Sequence, residues 1–117
     1  MALSREAILA AQDLAREEVD VPEWGGTVLI GSMTGAQRDA WEQTLLPKSK
    51  GESVDIANIR ARLVAICAVD EAGARLFTDS DTVALGAKSA SALERCAKVA
   101  QKLNGLSGDD VEAARGN

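Results

Sequence analysis

The side chains that could do chemistry in this 117-residue chain are few. Asp79 and Asp81 could serve as paired carboxylates for acid and base work, or as metal ligands. They lie in Thr78-Asp79-Ser80-Asp81, a run of helix-starting residues in which a carboxylate accepts a free backbone N–H and faces the positive end of the helix dipole. Such clusters are far more often caps. Asp70-Glu71-Ala72-Gly73 opens like a calcium loop, but the ligand spacing and the closing Glu are missing. Gly25-Gly26 is not followed by a Walker or G-x-G-x-x-G pattern, so turn geometry explains it better than a phosphate cradle. Cys67 and Cys96 stand far apart among apolar neighbours, too few for a zinc site, and read as small buried thiols of a reducing compartment. The chain contains no histidine, which excludes the usual Ser-His-Asp and Cys-His nucleophiles and His-ligated zinc. The residues point to no catalytic set, no cofactor and no metal.

Charge and aromatics narrow the alternatives to binding. The formal charge is −5, and the first 33 residues carry Glu6, Asp13, Glu17, Glu18, Asp20 and Glu23 against Arg5 and Arg16. An acidic first third suits solubility or a basic partner, and makes nonspecific attachment to nucleic acid a poor expectation. Lys88, Arg95, Lys98 and Lys102 form a basic face further on. By default it is a solvated helix surface, and otherwise it meets an acidic partner. Trp24, beside the double glycine, either folds back onto the core or projects as an anchor for a partner; the aggregation hazard of a bare tryptophan favours the core.

The positioning elements follow from patterning. Val19 and Val21 alternate with Glu18, Asp20 and Glu23, the period of a strand with one dry face, over about 16–21. Pro22 ends it, Gly25-Gly26 supplies positive φ for a reversal, and Thr27-Val28-Leu29-Ile30 returns as a second strand. Thr34 and Gln37 form a capping box that opens a helix from Gly35 to about Leu46, with Ala36, Ala40, Trp41 and Leu45 on its dry face and Arg38, Asp39, Glu42 and Gln43 in water. Ahead of the hairpin, Ser4 caps a short helix from Arg5 to about Asp13, offering Ile8, Leu9 and Ala11 for burial.

Pro47 to Glu52 lacks any apolar period and reads as an exposed mobile loop, about 47–53. Ile56, Ile59, Leu63, Ile66 and Cys67 then recur at three and four, a buried helical stripe with Asp55 near its start. Residues 68–77 read as a second hairpin turning at Glu71 to Gly73. The Thr78 to Asp81 cluster opens a short helix through Val83, Ala84 and Leu85 to Gly86. Ser89, or Ser91 boxed with Glu94, caps a longer helix whose stripe is Leu93, Cys96, Val99, Ala100 and Leu103, and Asn104-Gly105 stops it. A last weak helix, 111–115, precedes a fraying end, so about 107–117 should be weakly ordered.

With 46% apolar residues and only Trp24, Trp41 and Phe77 as aromatics, residues 1–117 are expected to form one domain with a Leu, Ile, Val and Ala core. The fold class is α+β: an N-terminal β-hairpin, a second short hairpin, and a small helical bundle packed on one side. No window approaches the roughly 18 to 20 apolar residues of a membrane span, and no signal sequence opens the chain, so a soluble protein with no membrane partner is expected.

The order of V-x-V-P-E-W-G-G-x-V-L-I, M-T-G-A-Q-R-D-A-W-E, N-I-R-A-R-L-V-A-I, V-D-E-A-G-A-R-L-F-T-D-S-D and L-N-G-L-S resembles the tail assembly chaperones of long-tailed, siphovirus-type bacteriophages and prophages, over about Ser4 to Ser107. The resemblance implies a non-enzymatic role in virion morphogenesis in the host bacterial cytoplasm: binding the tape measure protein, keeping it soluble, helping to recruit the tail tube protein, and leaving before the particle is complete. It also implies several copies on one client, hence self-association, and no nucleic acid. A helical client calls for an apolar groove. The candidate partner-binding residues are Trp24, Trp41, Leu45, Leu93, Lys98 and Leu103; the sequence does not separate core from groove among them. Two other classes compete: a structural virion component such as a head-to-tail connector or tail terminator, and, more remotely, an acidic inhibitor that mimics nucleic acid.

Overall fold

The structure is a computed structural model of the chain, and it describes residues 2–45 and 58–106. Strand β1 (Arg16–Val21) pairs antiparallel with β2 (Gly26–Gly31), Val19 opposite Val28 and Val21 opposite Gly26. Pro22, Glu23 and Trp24 make one turn of 3-10 helix at the tip, where the missing proline donor costs the ladder nothing. Of the two glycines it is Gly25, at φ +84°, that takes the left-handed conformation, its N–H donating to the Pro22 carbonyl at 3.0 Å.

The second hairpin belongs to the same sheet as the first. Strand β3 (Ala68–Val69) pairs antiparallel with β2, giving the order β1-β2-β3, and its returning arm is reduced to one bridge between Val69 and Arg75. Asp70 builds the turn: its Oδ1 accepts from the N–H groups of Ala72 and Ala74, each at 2.9 Å, while Gly73 supplies φ +90°.

Every other residue of the hairpin faces the helices, so Val19, Val21, Ile30 and Ala68 are buried. Helix α5 (Ala90–Leu103) lies against β1, β2 and α3, burying Ala92, Leu93, Cys96, Ala97 and Ala100. Helix α3 (Ile59–Cys67) packs against α5, α4 (Thr82–Gly86), α2 (Gly35–Thr44) and β2. Such surroundings leave little of α3 wet, so Ala61, Val64 and Ala65 are buried along with the Ile59, Leu63, Ile66, Cys67 stripe.

The caps are made by the residues expected. In α2 the Gln37 N–H donates to Thr34 Oγ1 at 3.1 Å and the Thr34 N–H to Gln37 Oε1 at 2.9 Å. Thr78 and Asp81 form the box that leads through a 3-10 turn into α4. Ser89 caps α5, which places Ser91 inside the helix, not at its start as one reading of the S-x-x-E pair had it. At the far end Gly105, at φ +65°, lets Leu106 N–H reach Gln101 O at 2.8 Å, a Schellman closure.

Two expectations about helix faces are corrected. Helix α1 (Arg5–Ala10) is capped by Ser4 but stops at Ala10, where Ala11 turns extended, and it has no buried residue: Ile8 is 56% and Leu9 68% exposed. On α2 only Trp41 is buried; Ala36 and Ala40 are exposed, whereas Arg38, assigned to water, is half-buried and donates to Asn104 O at 2.9 Å. The expected loop at 47–53, the helix start with Asp55 and Ile56, Leu46, and the chain end at 107–117 lie outside the described residues.

Candidate functional site

Most of the basic face of α5 is engaged by the acidic first third of the same chain. Arg95 forms two contacts with Glu23, at 2.9 and 3.0 Å, and Lys102 Nζ meets Glu17 at 2.7 Å. Lys98 pairs one turn back along α5 with Glu94 at 3.7 Å. The guanidinium of Arg95 holds the Glu23 carboxyl well below the usual carboxylate range, at about 2. Arg95 is itself raised by Glu23.

The acidic groups that could have served as a site are similarly engaged. Asp81 accepts from the Thr78 N–H at 2.8 Å, and Asp79 pairs with Arg75 at 3.0 Å while Arg75 also donates to Ala65 O. Cys67 and Cys96 are buried free thiols on α3 and α5. Burial pushes the Cys67 thiol up to about 12, against a weaker downward pull from Asn104, whose Nδ2 lies 3.6 Å from the sulfur. Burial likewise raises Cys96. Among the described residues no group of three or more Cys, Asp or Glu is placed to hold a metal ion, and no helix is long and apolar enough to cross a membrane.

The six candidate partner-binding residues separate by burial. Trp41 and Leu93 are core residues, 1% and 6% exposed; Leu93 shows its remaining surface to the cleft between the start of α3 and the α4 to α5 junction. Leu45 and Leu103 are half-buried against the core, and Lys98 is exposed. Trp24 does both things considered for it: it packs against the core from the hairpin tip and leaves one side open.

That open side is a cleft of about 400 Å³ lined by Glu23, Trp24, Phe77, Leu85 and Lys88. It adjoins a second cleft of about 250 Å³ between the start of α3 and the α4 to α5 junction, and Lys88 lines both. Sequence reading missed Phe77 and Leu85 because each looked like ordinary core, and nothing local says that 24 and 77 meet. Residues 3–14 form a further apolar surface, with Ile8 and Leu9 of α1 and the flanking Leu3 and Leu14 all more than half exposed; Leu76 and Val83 are exposed as well. A small protein seldom leaves several large apolar side chains in water on one short segment without a partner for them.

No family model matches the sequence, and no curated protein does. Among solved structures the fold is similar to that of the bacteriophage HK97 tail assembly chaperone, with a TM-score of 0.59 over 84% of this chain and 94% of that one, at 18% identity. At that identity the likeness is one of fold.

Proposed function

We propose that this protein is a phage tail assembly chaperone that binds the tape measure protein, keeps it soluble and helps recruit tail tube subunits. The observation that carries the reading is the fold shared with the HK97 tail assembly chaperone across nearly all of that chain. The motif order along the sequence supports it. So does an apolar helix, α1, held in water with no buried residue, since a chaperone for a sticky helical client must expose apolar surface of its own. The half-buried Trp24, Leu45 and Leu103 and the exposed Lys98 are the client contacts in this reading; Trp41 and Leu93 hold the fold beneath them. The protein acts in the host cytoplasm, in several copies per client, and turns over no substrate.

Co-expression tests the proposal. Tape measure protein is expected in the soluble fraction with this chain present and in the pellet without it; a client equally insoluble in both ends the reading. Mass spectrometry of purified particles separates a chaperone, which is absent, from a connector or terminator, which is present.

A further inference from the structure

Resting on the reading of this protein as a binder of another protein's exposed segment, we infer what that segment carries: a large apolar side chain with a carboxylate about one helical turn away, seated at the two clefts that Lys88 lines. Trp24 and Phe77, two of the chain's three aromatics, are far apart in sequence and line one opening with Leu85. Both aromatics are half-buried, so each has a ring surface available to an incoming apolar group.

The charge around the opening selects the rest of the ligand. Glu23, the one acid lining the apolar cleft, is neutralised by Arg95 through its two contacts. Lys88 has no ion pair or side-chain hydrogen bond among the described residues, whereas Lys98 and Lys102 each have an acid. Arg60, which lines the adjoining cleft with Lys88, is the other described cation without a partner. Two unpaired cations beside an apolar slot, with the neighbouring acid already engaged, are complementary to an anionic group next to an apolar one. On a helix those two groups fall on one face at a spacing of three or four residues.

The test uses the intact protein and two synthetic peptides. The first is a capped, Ala-rich helical 14-mer with one Leu and with Glu four residues later; the second has Gln for Glu. Trp41 is shielded in the core, so the change in tryptophan emission on titration reports Trp24, and Trp24→Phe should abolish it. The expected result is a saturable blue shift with the Glu peptide. Binding should be about two- to fivefold weaker for the Gln peptide, and weaker by a similar factor for the surface variants Lys88→Gln and Arg60→Gln. No saturable shift, or equal binding of the two peptides, overturns the inference. A blue shift that depends on protein concentration alone also overturns it, in favour of α1 of a second copy, which carries Glu6 and Leu9, as the occupant. Co-expression keeps the two proposals apart. A client held soluble equally well by the Arg60→Gln, Lys88→Gln pair and by the unaltered chain sinks the cleft and leaves the chaperone standing. A client that the unaltered chain fails to hold soluble sinks the chaperone, while the titration still decides the cleft.

Discussion

Arg95 of α5 holds Glu23 at the hairpin tip with both arms of its guanidinium, Nη1 to Oε1 at 2.9 Å and Nη2 to Oε2 at 3.0 Å, and reaches the Asp20 carbonyl at 3.3 Å. With Lys102 on Glu17 this fastens the longest helix across the first strand. The fixed fork of arginine matches a carboxylate in a way lysine cannot.

That contact predicts an acid-dependent loss of stability. The Glu23 carboxyl is depressed in the folded chain to about 2 from an ordinary 4.5, so its contribution is complete above about 4.5 and disappears as pH falls through about 2. Glu23→Gln should therefore lower the urea midpoint at pH 7 and lower it less at pH 3. High salt should shrink the pH 7 difference, because both side chains are partly in water. A difference that stays constant from pH 7 to 3 contradicts the assignment.

Asn104 predicts a loss of stability of a different origin. Its Oδ1 accepts the Met33 N–H at 2.6 Å and its Nδ2 donates to Ala100 O at 2.8 Å, so one side chain ties the end of α5 to the approach to α2. Asn104→Ala strands a partly buried N–H and should cost about 1–3 kcal/mol in urea unfolding. Asn104→Asp, which keeps an acceptor, should recover part of that.

Core and surface should separate cleanly among the candidate contacts. Trp41→Ala opens a cavity and should cost about 3–5 kcal/mol, whereas Lys98→Ala, exposed on α5, should stay within about 0.5 kcal/mol. Thermal unfolding of the two variants in parallel checks this.

Cys67 sets the alkaline limit. Its thiol is raised from 9.0 to about 12 by burial, so above pH 9 the unfolded chain releases a proton that the folded chain retains, and stability falls until about pH 12. The slope approaches 1.4 kcal/mol per pH unit, as an upper estimate. Cys67→Ala should be less stable at pH 7 and show a shallower fall between pH 9 and 10.5.

Deleting residues 2–10 should leave the thermal midpoint nearly unchanged, since α1 buries nothing. Solubilisation of the client should drop. A large fall in thermal midpoint would mean that α1 belongs to the folded body.

The parts of the fold that could be read in advance are those decided within a few residues. The alternation of Val19 and Val21 with acids, the Thr34 to Gln37 box, the helix-opening cluster at Thr78 to Asp81 and the Asn104-Gly105 stop each depend on neighbours in sequence, and each forms where expected. The misread faces depend on distant partners. Arg38 has the composition of a wet residue and is half-buried because Asn104, from the end of α5, offers a carbonyl; Ile8 and Leu9 have the composition of core and stay wet because no element among the described residues covers them. The basic face of α5 is visible as a pattern, but its pairing with Glu23 and Glu17 requires β1 to lie beneath it. The Trp24 and Phe77 cleft was illegible for the same reason: it exists only where the hairpin tip meets the segment ahead of α4.

The entry of the chain into β1 is pinned by a reciprocal exchange, Ala15 N–H to Ser32 Oγ at 3.0 Å and Ser32 N–H to Ala15 O at 2.9 Å. Residues 11–15 at roughly 3.3 Å each and α1 at about 1.5 Å per residue can place the start of α1 no more than about 25 Å from that anchor. In the proposed reading, a client held on α1 would therefore meet the rest of the molecule at the high local concentration of a tethered pair.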